Sequence, residues 1–128
     1  VLRFNGRVVT DGGGFTSVRR RLEDIDLAGT TSVQMRVRAD QRTYGLTLED
    51  GTEVGQRAIS HRADLNIDRA DEWTTTALRY GDLEPTVFGR PVNAPPFDPD
   101  DAREFGIIIA DGQDGDFSLE IDWIAACP

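Results

Sequence analysis

Phe117-Ser118-Leu119-Glu120-Ile121-Asp122-Trp123-Ile124 alternates apolar and polar side chains. Successive side chains of a strand point to opposite faces, so this spacing predicts a half-buried strand. Phe117, Leu119, Ile121 and Trp123 turn inward, and Ser118, Glu120 and Asp122 turn outward.

The same pattern recurs upstream. Ser32 to Ala39 sets Val33, Met35, Val37 and Ala39 on one face and Gln34, Arg36 and Arg38 on the other, and Tyr44, Leu46 and Leu48 repeat the inward series. Leu2 to Val9, Phe15 to Leu22 and Trp73 to Leu78 are further strands. Thr10-Asp11-Gly12-Gly13-Gly14 reads as a turn between the first two. Asp50-Gly51 suits a two-residue hairpin pairing Arg42 to Glu49 with Thr52 to Arg62. Asp111-Gly112-Gln113-Asp114-Gly115-Asp116 has the composition of a hairpin turn between Phe105 to Ala110 and Phe117 to Ala125. Tyr80 to Arg103 holds five of the six prolines and reads as a long ordered loop, with one helical turn at Asp100 to Glu104. No helical apolar period persists for three turns, so the chain reads as all-β, an antiparallel β-sandwich forming a single domain over 1–128.

At 128 residues the chain is long enough to bury a core without staples. No apolar stretch approaches the roughly 20 residues of a membrane-spanning helix. A net charge of −9 argues against nucleic acid and anionic membranes as partners. Arg19-Arg20-Arg21 is the only basic run, and alternation along a strand divides it between two faces. Every basic residue is arginine, a bias that suggests a GC-rich or salt-adapted source. One cysteine, Cys127, allows no intrachain disulfide, which favours the cytoplasm or an organelle interior. No signal-peptide pattern opens the chain, and its start at Val1 suggests a processed or excised piece.

Candidate chemistry is sparse. Ser60 and the sole histidine, His61, adjoin in a strand and must face opposite ways, so the nucleophile–base pairing fails and His61 reads as a surface residue. Cys127 has no base nearby in sequence, at a terminus expected to fray. One histidine and one cysteine, far apart, exclude a zinc site. Calcium needs only oxygen ligands; Asp98, Asp100 and Asp101 or Asp111, Asp114 and Asp116 would offer them, although the latter loop lacks EF-hand order and ordinary turn aspartates are the other reading. Asp11-Gly12-Gly13-Gly14 precedes a strand and so lacks the helix N-terminus of a phosphate cradle. Glu120 and Asp122 share a face about 7 Å apart, a separation open to glycoside hydrolysis but equally to solvated surface acids.

Ordered along the chain, several segments resemble the complex I intermediate-associated protein 30 family. They are Phe4-Asn5-Gly6, Gly13-Gly14-Phe15-Thr16-Ser17-Val18-Arg19, Val33-Gln34-Met35-Arg36-Val37-Arg38 with Tyr44, Glu72-Trp73, Pro85-Thr86-Val87-Phe88-Gly89-Arg90, Gly106-Ile107-Ile108-Ile109, and Gly115-Asp116 running into the closing strand. The resemblance implies a galactose-binding-like jelly roll, akin to carbohydrate-binding modules, serving as a mitochondrial assembly factor for respiratory complex I, with no catalytic residues and no cofactor. Two features depart from the family pattern. Ala39-Asp40-Gln41 stands where it usually has Gly-Asp-Gly, and family members carry a further segment ahead of Phe4-Asn5-Gly6. A strand is therefore expected to be missing, replaced, or supplied by another chain at an open sheet edge, including a second copy.

These readings converge on a non-enzymatic binding or assembly domain, mitochondrial by the resemblance in a eukaryote and cytoplasmic in a bacterium. Its partner-binding residues are expected to be Arg19, Arg36, Arg38, Glu120 and Asp122. The outward set contains no aromatic, since Tyr44, Trp73 and Trp123 fall on apolar faces, which favours a protein partner or a charged small ligand over a neutral glycan. A carbohydrate-binding module and an accessory domain of a hydrolase are the alternatives.

Overall fold

The computed structural model describes residues 2–9, 15–22 and 26–128. The expected turn at Thr10 to Gly14 lies outside them. Among the described residues twelve strands follow in chain order: β1 (Leu2–Val8), β2 (Thr16–Arg21), β3 (Ser32–Ala39), β4 (Tyr44–Glu49), β5 (Glu53–Val54), β6 (Arg57–Ala58), β7 (Ser60–Asp64), β8 (Thr74–Arg79), β9 (Glu84–Val87), β10 (Arg90–Pro91), β11 (Glu104–Ile109) and β12 (Gly115–Cys127). A four-stranded sheet runs β1-β12-β3-β8 and a six-stranded sheet β10-β9-β7-β4-β11-β2, with β5-β6 a small separate ribbon. Every pairing is antiparallel. The all-β sandwich read from the alternation is the fold.

Inward series from both sheets meet in one core. Val33, Met35, Val37, Ala39, Phe117, Leu119 and Ile121 come from one side; Tyr44, Leu46, Leu48, Ile107 and Ile109 come from the other. Strands buried on one face and solvated on the other keep a strict register, because a slip of one residue would expose the whole apolar series.

The structure corrects several sequence expectations. Phe105–Ala110 and Phe117–Ala125 are not hairpin partners: β11 pairs with β2 and β4, whereas β12 pairs with β1 and β3. The Asp111–Asp116 turn therefore carries the chain from one sheet to the other. Likewise β1 and β2 lie in different sheets. β4 does pair with the segment after Asp50-Gly51, but through β7, with Leu48 opposite His61, and the β5–β6 ribbon intervenes.

Tyr80 to Arg103 is more than a loop, since β9 pairs with β7 despite Pro85. The carbonyl of Pro85 accepts from Val92 N–H at 3.0 Å. In a strand a residue's N–H and C=O point the same way, so the donor that proline lacks would have faced the short β10 side and not β7. The short helical segment in this stretch is Pro99–Asp101, capped by the Asp98 side chain. Phe97 plugs into the core, its ring centroid 5.6 Å from that of His61 and 5.1 Å from that of Tyr80.

Trp123 is not part of the buried face. The register shifts between Ile121 and Trp123, leaving Asp122 as the extra residue and Trp123 opposite outward-facing Arg36, 40% exposed. His61 is the reverse case: it is fully buried, with Nε2 3.1 Å from the Pro95 carbonyl oxygen. Cys127 ends β12 in register with Ser32 and is not a loose terminus.

Candidate functional site

On β3 the core takes Met35 and Val37, which leaves Arg36 and Arg38 outward; on β12 it takes Leu119 and Ile121, which leaves Glu120 outward. The β3–β12 register sets Glu120 opposite Arg38, and the bulge brings Asp122 beside Arg36. Arg36 Nη1 donates to Asp122 Oδ2 at 2.7 Å, and Arg38 donates to Glu120 Oε1 from Nη2 at 2.8 Å and from Nε at 3.2 Å. Arg3 on β1 reaches the other Glu120 oxygen at 3.9 Å.

Both arginines stand over one aromatic ring. Arg36 Cζ lies 5.1 Å and Arg38 Cζ 4.9 Å from the Trp73 ring centroid. Thr76 and Leu78 of β8 are buried, so Trp73 shares the parity of the outward residues Thr75 and Ala77. That parity was the signal for placing Trp73 outward, and it corrects the expectation of an outward surface without aromatics. Two guanidiniums occupy the ring, each stacking worth about 0.5–1 kcal/mol at an exposed site. The result is a flat lattice of paired charges over the four-stranded sheet. It borders a hollow of about 270 Å³ lined by Arg38, Ala39, Asp40, Asp71, Ser118 and Glu120.

Arg19 is not with the other four expected residues. It lies on β2 opposite Gly106, on the outer face of the six-stranded sheet, with Nη1 3.6 Å from Glu49 Oε1. Glu49 in turn accepts from Ser60 Oγ at 3.2 Å and faces Glu104 across the β4–β11 ladder. Burial, and then the hydrogen bond with Glu104, hold the Glu49 carboxyl above the usual carboxylate range. Ser60 thus bonds Glu49 while His61 bonds the Pro95 carbonyl, and the two do not pair with each other.

At one end of the sandwich sits a network that sequence reasoning missed. Tyr44 Oη donates to Asp40 Oδ1 at 2.8 Å, and Ser118 N–H donates to Asp40 Oδ2 at 2.8 Å and to Tyr44 Oη at 3.0 Å. Burial, then this bond to Asp40, push the Tyr44 phenol up. Beside it Arg42 donates to both Asp111 oxygens and to the carbonyls of Gln113, Gly115 and Asp116. Asp111, one of the calcium candidates, thus has both oxygens engaged by Arg42. Its companion Asp116 is exposed and offers Arg42 its backbone carbonyl. Among the described residues no three His, Cys, Asp or Glu side chains converge as metal ligands. Nor is any helix among them long and apolar enough to cross a membrane.

Two antiparallel sheets closed over one core, with a polar lattice on the outer face of one of them, define a β-sandwich. Its architecture is similar to the family 11 carbohydrate-binding module of a cellulosomal cellulase of Clostridium thermocellum, with TM-score 0.69 and 11% identity over 98% of this chain and 82% of that one. The family 11 module from the same organism in complex with a β-1,3-1,4-mixed-linked tetrasaccharide is also similar, with TM-score 0.65 and 10% identity over 98% and 83%. At such identity the likeness is one of fold. No curated protein matches the chain. The sequence model of the Complex I intermediate-associated protein 30 family matches residues 1–121, and the chain belongs to that family.

Proposed function

We propose that this protein is a non-enzymatic binding domain of the assembly-factor kind, which recognises a protein partner through the outer face of its four-stranded sheet. Family membership supports an assembly-related role connected with respiratory complex I, and the partner is then an assembly intermediate of that complex. The carrying observation is the Arg36–Asp122 and Arg38–Glu120 lattice laid over Trp73. Such a surface is flat, charged in both signs and centred on a large aromatic, which suits exchange of ion pairs with another protein better than enclosure of a small molecule. The compartment follows the family, mitochondrial in a eukaryote and cytoplasmic in a bacterium. A second copy would add at the β1 edge, where Leu2 is exposed.

Affinity purification from the native organism tests this reading. Wild type is expected to retain respiratory complex I subunits, and Arg38→Glu combined with Trp73→Ala is expected to lose them. Retention unchanged in that variant would sink the assignment of the face.

A second reading, saccharide binding, draws support from the solved relative with its bound tetrasaccharide and from the polar outer face of the six-stranded sheet. The Trp73 ring is a poor sugar platform because two guanidiniums cover it.

A further inference from the structure

The outer face of the six-stranded sheet carries a second constellation, built by alternation against the core. Leu46 and Leu48 of β4 and Ile107 of β11 are buried, so Thr47, Glu49, Glu104 and Gly106 face outward. The registers set Arg62, Thr47, Gly106 and Arg19 in one row across β7, β4, β11 and β2. The neighbouring row runs Ser60, Glu49, Glu104, Arg21.

Two glycines shape the floor. A Cβ on Gly106 would stand 2.7 Å from Thr47 Oγ1 and 3.2 Å from Arg19 Cγ; one on Gly45 would stand 3.3 Å from Arg62 Nε. Their bare backbone lets both arginines lie down across the sheet on either side of Thr47.

Two polar groups on this floor are open to an external partner. Thr47 is only 7% exposed, yet its hydroxyl has no partner among the described residues. Arg62 is half-buried, and its guanidinium makes no hydrogen bond or ion pair among them either. Neither group is sealed from water, since His61 Nδ1 is the one buried side-chain polar atom without a partner among the described residues, so a ligand would replace solvent at both.

An aromatic stands at the rim. Phe88, in the turn between β9 and β10, is 86% exposed and held at φ 50°, and Arg57 Cζ lies 5.3 Å from its ring centroid. A bulky side chain in the left-handed region is strained, as residues of ligand-contacting loops often are. The next residue, Gly89, brings the turn to the guanidinium of Arg62, whose Nη1 is 3.8 Å from the place of a Gly89 Cβ.

We propose that this face binds a neutral polyhydroxylated ligand of the saccharide class. The Arg62 fork donates to ring or hydroxyl oxygens, Thr47 donates or accepts, Glu49 accepts, and Phe88 covers an apolar sugar face. Glu49, Glu84 and Glu104 share this face, Glu49 paired with Arg19 and Glu84 opposite Arg62 in the ladder, and three carboxylates beside two guanidiniums disfavour an anion. The inference rests on the saccharide reading for its ligand class and adds the residues that form the site.

Amide chemical-shift titration of the whole chain with cellotetraose and with laminaritetraose tests it. Shifts are expected to cluster at Thr47, Arg62, Gly106 and Phe88-Gly89. Phe88→Ala should weaken binding by up to about tenfold with unchanged melting, and Arg62→Met by a similar factor. Shifts confined to Arg36, Trp73 and Glu120 would overturn this site while leaving the saccharide reading standing. Absence of shifts with both sugars would overturn both, and wild-type affinity in both variants would overturn the residue assignment.

Discussion

The guanidinium of Arg42 meets the carboxylate of Asp111 fork to fork, Nε 2.7 Å from Oδ2 and Nη2 2.8 Å from Oδ1, where the chain crosses from one sheet to the other. Three carbonyls of the same crossover also accept from Arg42. With both side chains largely enclosed, this pair holds the turn that positions β12 beneath the candidate face.

Asp111→Ala leaves the Arg42 guanidinium enclosed without its counter-ion. The expected loss is about 2–4 kcal/mol, since breaking an enclosed pair from one side costs more than the pair's net worth. Urea denaturation should show a lower midpoint at unchanged slope, and a midpoint within error of wild type would contradict the anchoring role.

Acid should unfold the protein partly through this group. The bond from Arg42 is the main cause holding Asp111 down at about 2. A depressed folded value stabilises above the unfolded value of about 3.9, and that stability is lost as pH falls toward 2; the contribution is about 1–2 kcal/mol. Stability curves of wild type and Asp111→Asn should converge across that window, and parallel curves would refute the linkage.

Glu49 behaves oppositely. Its raised folded value favours the protonated form, so the associated stability is present below the unfolded value of about 4.3 and is lost as pH rises through the folded one. Glu49→Gln should therefore gain up to about 1 kcal/mol over wild type at neutral pH and lose the advantage in acid. A destabilised Glu49→Gln at neutral pH would show that the ion pair with Arg19 outweighs the crowding with Glu104.

Gly106→Ala places a methyl 2.9 Å from the Val18 carbonyl oxygen and 2.7 Å from Thr47 Oγ1. The backbone contact cannot yield easily, and a loss of about 1–3 kcal/mol is expected. Gly81→Ala, with nothing within 4 Å of the new methyl, serves as the neutral comparison. Equal melting temperatures for the two variants would contradict the close packing at Gly106.

Much of the candidate face was legible from alternation alone. Arg36 and Arg38 on β3 and Glu120 on β12 were assigned outward by the apolar neighbours on either side of them, and the β3–β12 ladder brings them together. Trp73 and Trp123 were misread for two reasons: the apolar character of Trp73 was taken as inward orientation, and Trp123 was placed inward by assuming that the alternation of β12 runs unbroken. The parity of Thr76 and Leu78 turns Trp73 out, and the bulge at Asp122, a backbone feature with no residue signature, does the same to Trp123. Thr47 and Arg62 escaped notice because each alone is an ordinary strand residue; only the β4–β7 register makes them neighbours.

The sequence by itself determined the strand periodicity, the all-β class and the outward parity of Arg36, Arg38 and Glu120, because side-chain alternation is a local property of the extended backbone. Only the tertiary structure decided that the Asp111–Asp116 turn changes sheets, that Arg19 parts company with the other expected residues, and that Trp73 lies under two guanidiniums. Strand partnership is set by how two apolar faces close over one core, and that balance of burial against loop closure is a property of the whole chain.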